Sequence, residues 1–143
     1  MMNKLKRGAW LSIVLWLCAC SSAPQGNSLY QALGEQAGIT KITHQMIVNF
    51  AQDERIKARF KGVNMQKFKA GFALYVCAQV GGPCEYQGDS MQIIHAGYNY
   101  TNTEFNAVVD NLILAMEQCG IPVAVQNQLL AKLAPSYKDV VYL

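Results

Sequence analysis

Apolar residues recur at helical spacing in every long segment after Ser28, and no segment of useful length alternates apolar with polar residues as a strand does. The second of these segments places Ile39, Ile42, Met46 and Phe50 on one helical face. With 143 residues, 52% of them hydrophobic, the chain is long enough for one domain with its own core. We therefore expect an all-α domain.

Capping and turn residues predict where the helices begin and end. Ser28 and Asn64 are placed to cap the first and third helices. The sequence Gly81-Gly82-Pro83 ends the third helix. Thr101-x-x-Glu104 has the spacing of a capping box and opens a long amphipathic helix.

Two further helices follow from the same pattern. After an irregular loop, a short helix from about Asp89 presents Met91, Ile94 and His95. Pro122 opens the last helix, which we expect to run to about residue 134.

The domain has no excess of basic residues, because removing Lys4, Lys6 and Arg7 with the N-terminal segment leaves nine basic and nine acidic residues. Nucleic acid is therefore not an expected partner.

The N-terminal segment has the order of an export signal, with a basic start and an apolar stretch from Ala9 to Ala19. This stretch is too short to span a bilayer stably. Its end, Leu17-Cys18-Ala19-Cys20, resembles a bacterial lipobox, in which cleavage leaves a lipid-bearing cysteine as the first residue. We expect residues 1–19 to be a lipoprotein signal peptide. An ordinary signal peptide or membrane anchor is the alternative.

A tether would then join the lipid to the domain. Residues 20–27 begin with the lipidated Cys20 and continue with small and polar residues, a composition typical of flexible linkers. The folded domain spans residues 28–143. Ser21 after the lipidated cysteine favours the outer membrane by bacterial sorting habit, so we expect a periplasm-facing lipoprotein of the cell envelope.

Several collinear segments of residues 28–141 together resemble the group 1 truncated haemoglobins. They are Ser28-Leu29-Tyr30, Asp53-Glu54-Arg55-Ile56 with Phe60, Asn64-Met65, Gly81-Gly82-Pro83, Tyr86-x-Gly88, Met91-x-x-x-His95-Ala96-Gly97 and Thr101-x-x-x-Phe105. The resemblance implies a two-over-two helical sandwich around haem b. It also implies a diatomic gas ligand and an electron donor that restores ferrous iron, whose identity the sequence does not give.

The resemblance assigns the proximal iron ligand to His95. The chain has only two histidines, and His44 lies outside the matching motif. A globin iron needs one neutral imidazole nitrogen, while the other ring nitrogen donates to a carbonyl that fixes the ring. The residues predicted to contact the haem lie on both sides of the expected haem pocket: Ile47, Phe60, Phe68, Phe72, Val76, Tyr86, Met91, Ile94, Phe105 and Val108.

The distal side departs from the family pattern. Ile47 stands where the family usually carries a ligand-bonding tyrosine, and Met46 replaces its phenylalanine neighbour. Phe72 stands where a glutamine often reaches the ligand, and Gly71 replaces a common basic residue. The expected apolar pocket favours a gas-binding protein over an enzyme of NO dioxygenation or peroxide chemistry, which stays the alternative.

Three cysteines remain in the exported domain. Cys77 and Cys84 enclose a short loop, and a disulfide between them is our preferred interpretation. A metal cluster of these two with His95 and Cys119 is the alternative, although its spacing matches no known zinc motif. We expect Cys119 to stay a free, partly buried thiol.

At the rim of the pocket, the side chains of Lys67, Lys69 and Tyr86 are candidate partners of the haem propionates.

Overall fold

The computed structural model describes residues 28–143, and the predicted signal peptide, lipid site and tether lie outside this range. The described part contains no β-strand. Its α-helices are α1 (Leu29–Ala32), α2 (Glu35–Phe50), α3 (Met65–Gln79), α4 (Met91–His95), α5 (Asn102–Gln118) and α6 (Val123–Leu133), with 3₁₀ helices at Lys57–Phe60 and Ala134–Asp139. The predicted all-α class is confirmed.

The helix caps lie where the sequence places them. The Ser28 side chain accepts from the Gln31 backbone amide, and the Gln31 side-chain oxygen accepts from the Ser28 backbone amide. The Asn64 side chain accepts from the backbone amide of Lys67 at the start of α3. The predicted box of Thr101 and Glu104 opens α5. Each cap satisfies backbone amides that have no partner inside the helix.

The core forms where α2 packs against both α3 and α5. The stripe predicted for α2 is its buried face, and the fully buried Phe50 and Met46 are its largest side chains. Buried apolar residues of the other helices belong to the same core: Ala73, Val76 and Cys77 of α3, Ala107, Leu112, Ala115 and Met116 of α5, and Leu129 of α6. No helix within residues 28–143 is long and apolar enough to cross a membrane.

The C-terminal segment adds structure that the sequence pattern did not indicate. Beyond Pro135 the chain continues as the second 3₁₀ helix, in whose first turn a proline is tolerated because the missing N–H has no partner to lose. The carbonyl of Leu143 then accepts from the amides of Gly97 and Asn99, at 3.1 and 2.9 Å. Together with contacts between α4 and the second 3₁₀ helix, these bonds fasten the loop that follows His95.

Candidate functional site

His95 is the last residue of α4, and its ring is held by the helix that carries it. Its Nδ1 lies 2.7 Å from the carbonyl oxygen of Met91, one turn earlier. A carbonyl only accepts, so Nδ1 carries the proton and the Nε2 lone pair is left for an external partner. This is the ring orientation that second-shell bonding gives to a metal-binding histidine.

Aromatic side chains of the following loop flank this ring. The Tyr100 ring meets the His95 ring edge to face, with centroids 5.6 Å apart. Tyr98 stacks on Tyr100 at 5.7 Å and is 57% exposed. Burial raises the pKa of the Tyr100 hydroxyl above its ordinary value, so the ring stays neutral next to the imidazole.

Three phenylalanines of the first 3₁₀ helix and α3 form a wall that packs against the core. Phe60 of the first 3₁₀ helix stacks on the buried Phe50 at 4.4 Å. Phe68 of α3 meets Phe60 at 5.2 Å, and Phe72 stacks on Phe68 at 5.9 Å. Phe60, Phe68 and Phe72 remain only partly buried, so this wall presents apolar area that the protein's own core does not cover.

The space between α3 and α4 is open. Phe68, Phe72 and Tyr75 follow helical spacing along one face of α3, as Met91 and His95 do on α4. Where Tyr75 and Met91 approach each other, the two elements line a cavity of about 510 Å³. Tyr86, Lys132 of α6 and the second 3₁₀ helix complete its lining. Neither the phenylalanine wall nor His95 lines this cavity.

The remaining predicted contact residues divide between slot and core. Ile94 is 42% exposed next to His95. Phe105 is half-buried and meets Tyr137 at 5.1 Å, and Val108 packs on the core from α5. Val76, at 3% exposed, lies within the core. Of the predicted contact residues, Tyr86 and Met91 line the cavity, whereas Val76 lies in the core. Phe60, Phe68 and Phe72 form the phenylalanine wall.

The predicted distal positions carry no polar group. Ile47 is half-buried on α2, and its neighbour Met46 is fully buried in the core. Phe72 presents only a ring, and Gly71 is exposed with no heavy atom within 4 Å of where a Cβ would lie. His44, the other histidine, is exposed on α2. None of these side chains except His44 can donate a hydrogen bond.

Tyr86 and the two lysines occupy different parts of the surface. The Tyr86 hydroxyl donates to the Asp89 carbonyl at 3.1 Å, and its ring meets Tyr75 at 5.3 Å. Burial raises the pKa of the Tyr86 hydroxyl, so it remains a neutral donor at physiological pH. Lys67 is exposed and Lys69 is half-buried on α3. Tyr86 lines the cavity, whereas neither Lys67 nor Lys69 does.

Cys77 and Cys84 form a disulfide, with their Cα atoms 5.9 Å apart. It links the end of α3 to the loop that leads to α4. Gly82 lies inside this corner, where an added Cβ would fall 2.6 Å from both the Cys77 sulfur and the Tyr30 ring. Because the bridge uses both thiols, the alternative metal cluster loses two of its four ligands. Cys119 is free and half-buried, and residues 28–143 contain no group of three or more metal-ligating side chains.

Sequence reasoning missed one polar cluster. Arg59, immediately before Phe60, forms an ion pair with Glu104 of α5, with Nε and Oε1 2.5 Å apart. Its Nη1 also donates to the Tyr98 carbonyl at 3.1 Å. The capping box marks Glu104 as a cap residue, but no local pattern indicates a partner 45 positions earlier.

Comparisons with known proteins agree with this arrangement. The model of the bacterial-like globin family matches residues 28–141. The group 1 truncated haemoglobin of Mycolicibacterium paratuberculosis is 28% identical over 113 residues, which are 79% of this chain and 83% of that protein. The group 1 truncated haemoglobin of Tetrahymena pyriformis is 26% identical over 113 residues, covering 79% and 93% of the two chains.

Solved structures share the fold. The crystal structure of the Tetrahymena pyriformis truncated haemoglobin in its Fe(III) form superposes with a TM-score of 0.78 at 26% identity, over 82% of this chain and 100% of that one. The 2/2 haemoglobin of Synechococcus sp. PCC 7002 superposes with a TM-score of 0.75 at 22% identity, over 80% and 98%. The predicted two-over-two globin fold is confirmed. Since the family model covers nearly all of the described residues, the chain belongs to the bacterial-like globin family.

Proposed function

We propose that this protein binds haem b through Nε2 of His95 and that the haem iron reversibly binds a diatomic gas. The observation that carries the proposal is the bond from Nδ1 of His95 to the Met91 carbonyl. It fixes the ring and leaves Nε2 free to bind a metal. Family membership supports the same cofactor.

The residues around the open space suit a flat apolar ring system. Phe60, Phe68 and Phe72 are incompletely buried, and Ile94 is 42% exposed. Covering such area stabilises a protein by about 25 cal/mol per Å². Haem inserted between α3 and α4 would cover these side chains and supply the iron to which the gas binds. Lys67, Lys69 and Tyr86 remain the candidates for its carboxylates.

The apolar distal side sets which gas is held well. Iron-bound O2 carries partial negative charge and gains from a donor hydrogen bond, whereas CO depends on one much less. Neither Ile47 nor Phe72 has a donor. We therefore expect weak retention of O2 relative to CO and NO. The same lack of polar groups favours binding and release over NO dioxygenation or peroxide chemistry, which use donors to hold or activate oxygen.

We place the protein at the cell envelope, held by a lipid on Cys20 and supplied with electrons by a donor still to be identified. The lipobox-like sequence carries this part of the proposal. The Cys77–Cys84 disulfide supports it, because disulfides persist in oxidising compartments. Membrane fractionation tests it: Cys20→Ala should move the protein from the membrane to the soluble fraction.

Absorbance spectra test the proposed haem site directly. Full-length protein, purified in detergent and reconstituted with haem, should give ferric, ferrous and ferrous-CO spectra typical of imidazole ligation. His95→Ala should lose or alter the Soret band because it removes the iron ligand. His44→Ala is the matched control and should leave all three spectra unchanged. Wild-type protein that takes up no haem would disprove the proposal.

A further inference from the structure

The Met91 bond holds the His95 ring from within α4, and the backbone immediately after His95, where α4 ends, is a second constraint on the tilt of the ring. Residues 96–101 form no helix, and within them the Tyr98 amide donates to the His95 carbonyl at 3.2 Å. Such a loop holds its position only through contacts with other elements. One set comes from the C-terminal residues: Leu143 accepts from two amides of the loop, and the Tyr142 amide donates to the Tyr100 carbonyl at 2.9 Å. The other set comes from Arg59.

Arg59 reaches this loop from a part of the chain 39 positions before Tyr98. It lies in the first 3₁₀ helix, next to Phe60 of the aromatic wall. Its guanidinium donates to the Tyr98 carbonyl at 3.1 Å and lies over the Tyr100 ring, 4.9 Å from the centroid. Tyr100 in turn meets the His95 ring at 5.6 Å. One side chain thus contacts both tyrosines of the loop.

Glu104 holds the Arg59 guanidinium in place. Its two carboxylate oxygens accept from Nε and Nη2 of Arg59 at 2.5 and 3.1 Å, the fork geometry that gives strong, directional pairs. Oε2 also accepts from the amide and hydroxyl of Thr101, each at 2.9 Å. The Arg59 and Glu104 side chains are 34% and 16% exposed, so the pair is more sheltered than an ordinary surface ion pair.

We propose that Arg59 is a positioning residue for His95, linking the aromatic wall to the loop that sets the tilt of the proximal ring. Its contacts run through the Tyr98 carbonyl and the Tyr100 ring. The inference rests on the proposed function, since it concerns the ligand of the haem iron. It predicts that Arg59 governs haem retention and the strength of the iron–imidazole bond.

Arg55 offers a matched control within the same region. It pairs with Asp53 at 2.8 Å and with Asp110 of α5 at 2.8 Å. It therefore also joins the segment before Phe60 to α5, but it has no bond to residues 96–101. Loss of Arg55 removes a comparable ion pair and leaves the loop after His95 untouched.

The experiment compares Arg59→Gln, Arg59→Lys and Arg55→Gln in full-length, haem-reconstituted protein. Haem loss to an excess of apomyoglobin gives the dissociation rate. Resonance Raman spectra of the ferrous protein give the iron–imidazole stretching band. Arg59→Gln should speed haem loss about tenfold, the effect of losing one charge-assisted contact network, and should lower and broaden the band. Arg59→Lys should restore part of both because it keeps the charge.

The outcomes separate the inference from the proposed function. Arg59→Gln that matches Arg55→Gln in both haem loss and the Raman band would overturn the inference while leaving the haem site intact. Wild-type protein without haem would overturn both. Should Arg59→Gln fail to fold, Glu104→Gln provides the second variant, because it keeps the shape of the carboxylate but not its charge. A normal Raman band in that variant would also overturn the inference.

Discussion

At the scale of single residues, the chemistry of the proposed site depends on the His95 imidazole and on the lack of hydrogen-bond donors at the predicted distal positions. His95 supplies a fixed imidazole. Ile47 and Phe72 supply bulk without a donor, at the two positions where the family resemblance predicts polar groups. A single hydroxyl on the distal side should therefore change gas binding more than any change in the aromatic wall.

Ile47→Tyr tests this argument. The added hydroxyl should slow O2 dissociation by about tenfold to a hundredfold, since a hydrogen bond of roughly 1 to 3 kcal/mol is gained. CO dissociation should change far less. Stopped-flow measurement of both rates is the check, and Ile47→Phe is the control for ring size. Equal O2 dissociation from the tyrosine and phenylalanine variants would show that residue 47 does not face the bound gas.

At the scale of elements, the corner between α3 and α4 matters most, because it sets the relation between the two sides of the slot. The disulfide of Cys77 and Cys84 closes this corner, and Gly82 packs inside it. Cys77 is fully buried, so the covalent link joins the core to the proximal segment. The disulfide therefore limits how far the loop before α4 can move from α3.

Reducing this disulfide should destabilise the domain by about 2 to 3 kcal/mol, the loop-entropy value for a bridge that closes a short loop. Chemical denaturation with and without reductant measures the difference. The experiment uses a Cys119→Ser background, so that the free thiol does not exchange with the bridge. Equal stability under both conditions would mean that the corner is held by packing alone.

Caps and periodicity explain why so many element boundaries could be predicted. Ser28, Asn64 and Thr101 each begin a helix because their side chains satisfy nearby backbone amides, an interaction within three residues. The second 3₁₀ helix was not predicted. Pro135 reads as a helix stop from sequence, and the tighter helix that continues there is held by contacts with distant residues of α3, α4 and α5.

At the scale of the whole molecule, stability in acid should depend on Glu104. Its hydrogen bonds with Arg59 first, and with Thr101, lower the pKa of its carboxyl from 4.5 to about 2. A lowered folded-state pKa means that the stabilisation is complete above pH 4.5 and is lost as the pH falls towards 2. The Tyr100 hydroxyl, the other titratable group near this pair, does not ionise in that range.

Glu104→Gln should therefore lower the free energy of unfolding at pH 7 and flatten its fall between pH 4.5 and 2. Denaturation curves across this range measure both effects. Some acid sensitivity should remain, because Arg55 also lowers the pKa of Asp53. An unchanged slope in the variant would show that the Arg59–Glu104 pair contributes nothing to acid stability.

The sequence by itself determined the α-helices, their caps and the place of His95 in a short helix, because each depends on residues within one or two turns of one another. The tertiary structure decided the rest. Arg59 and Glu104, 45 positions apart, look like ordinary surface charges in sequence, and Leu143 reaches the loop after His95 only once α6 has packed. Contacts between distant residues leave no periodic trace in a chain, so only the packed fold shows that they converge on the ring that we propose binds iron.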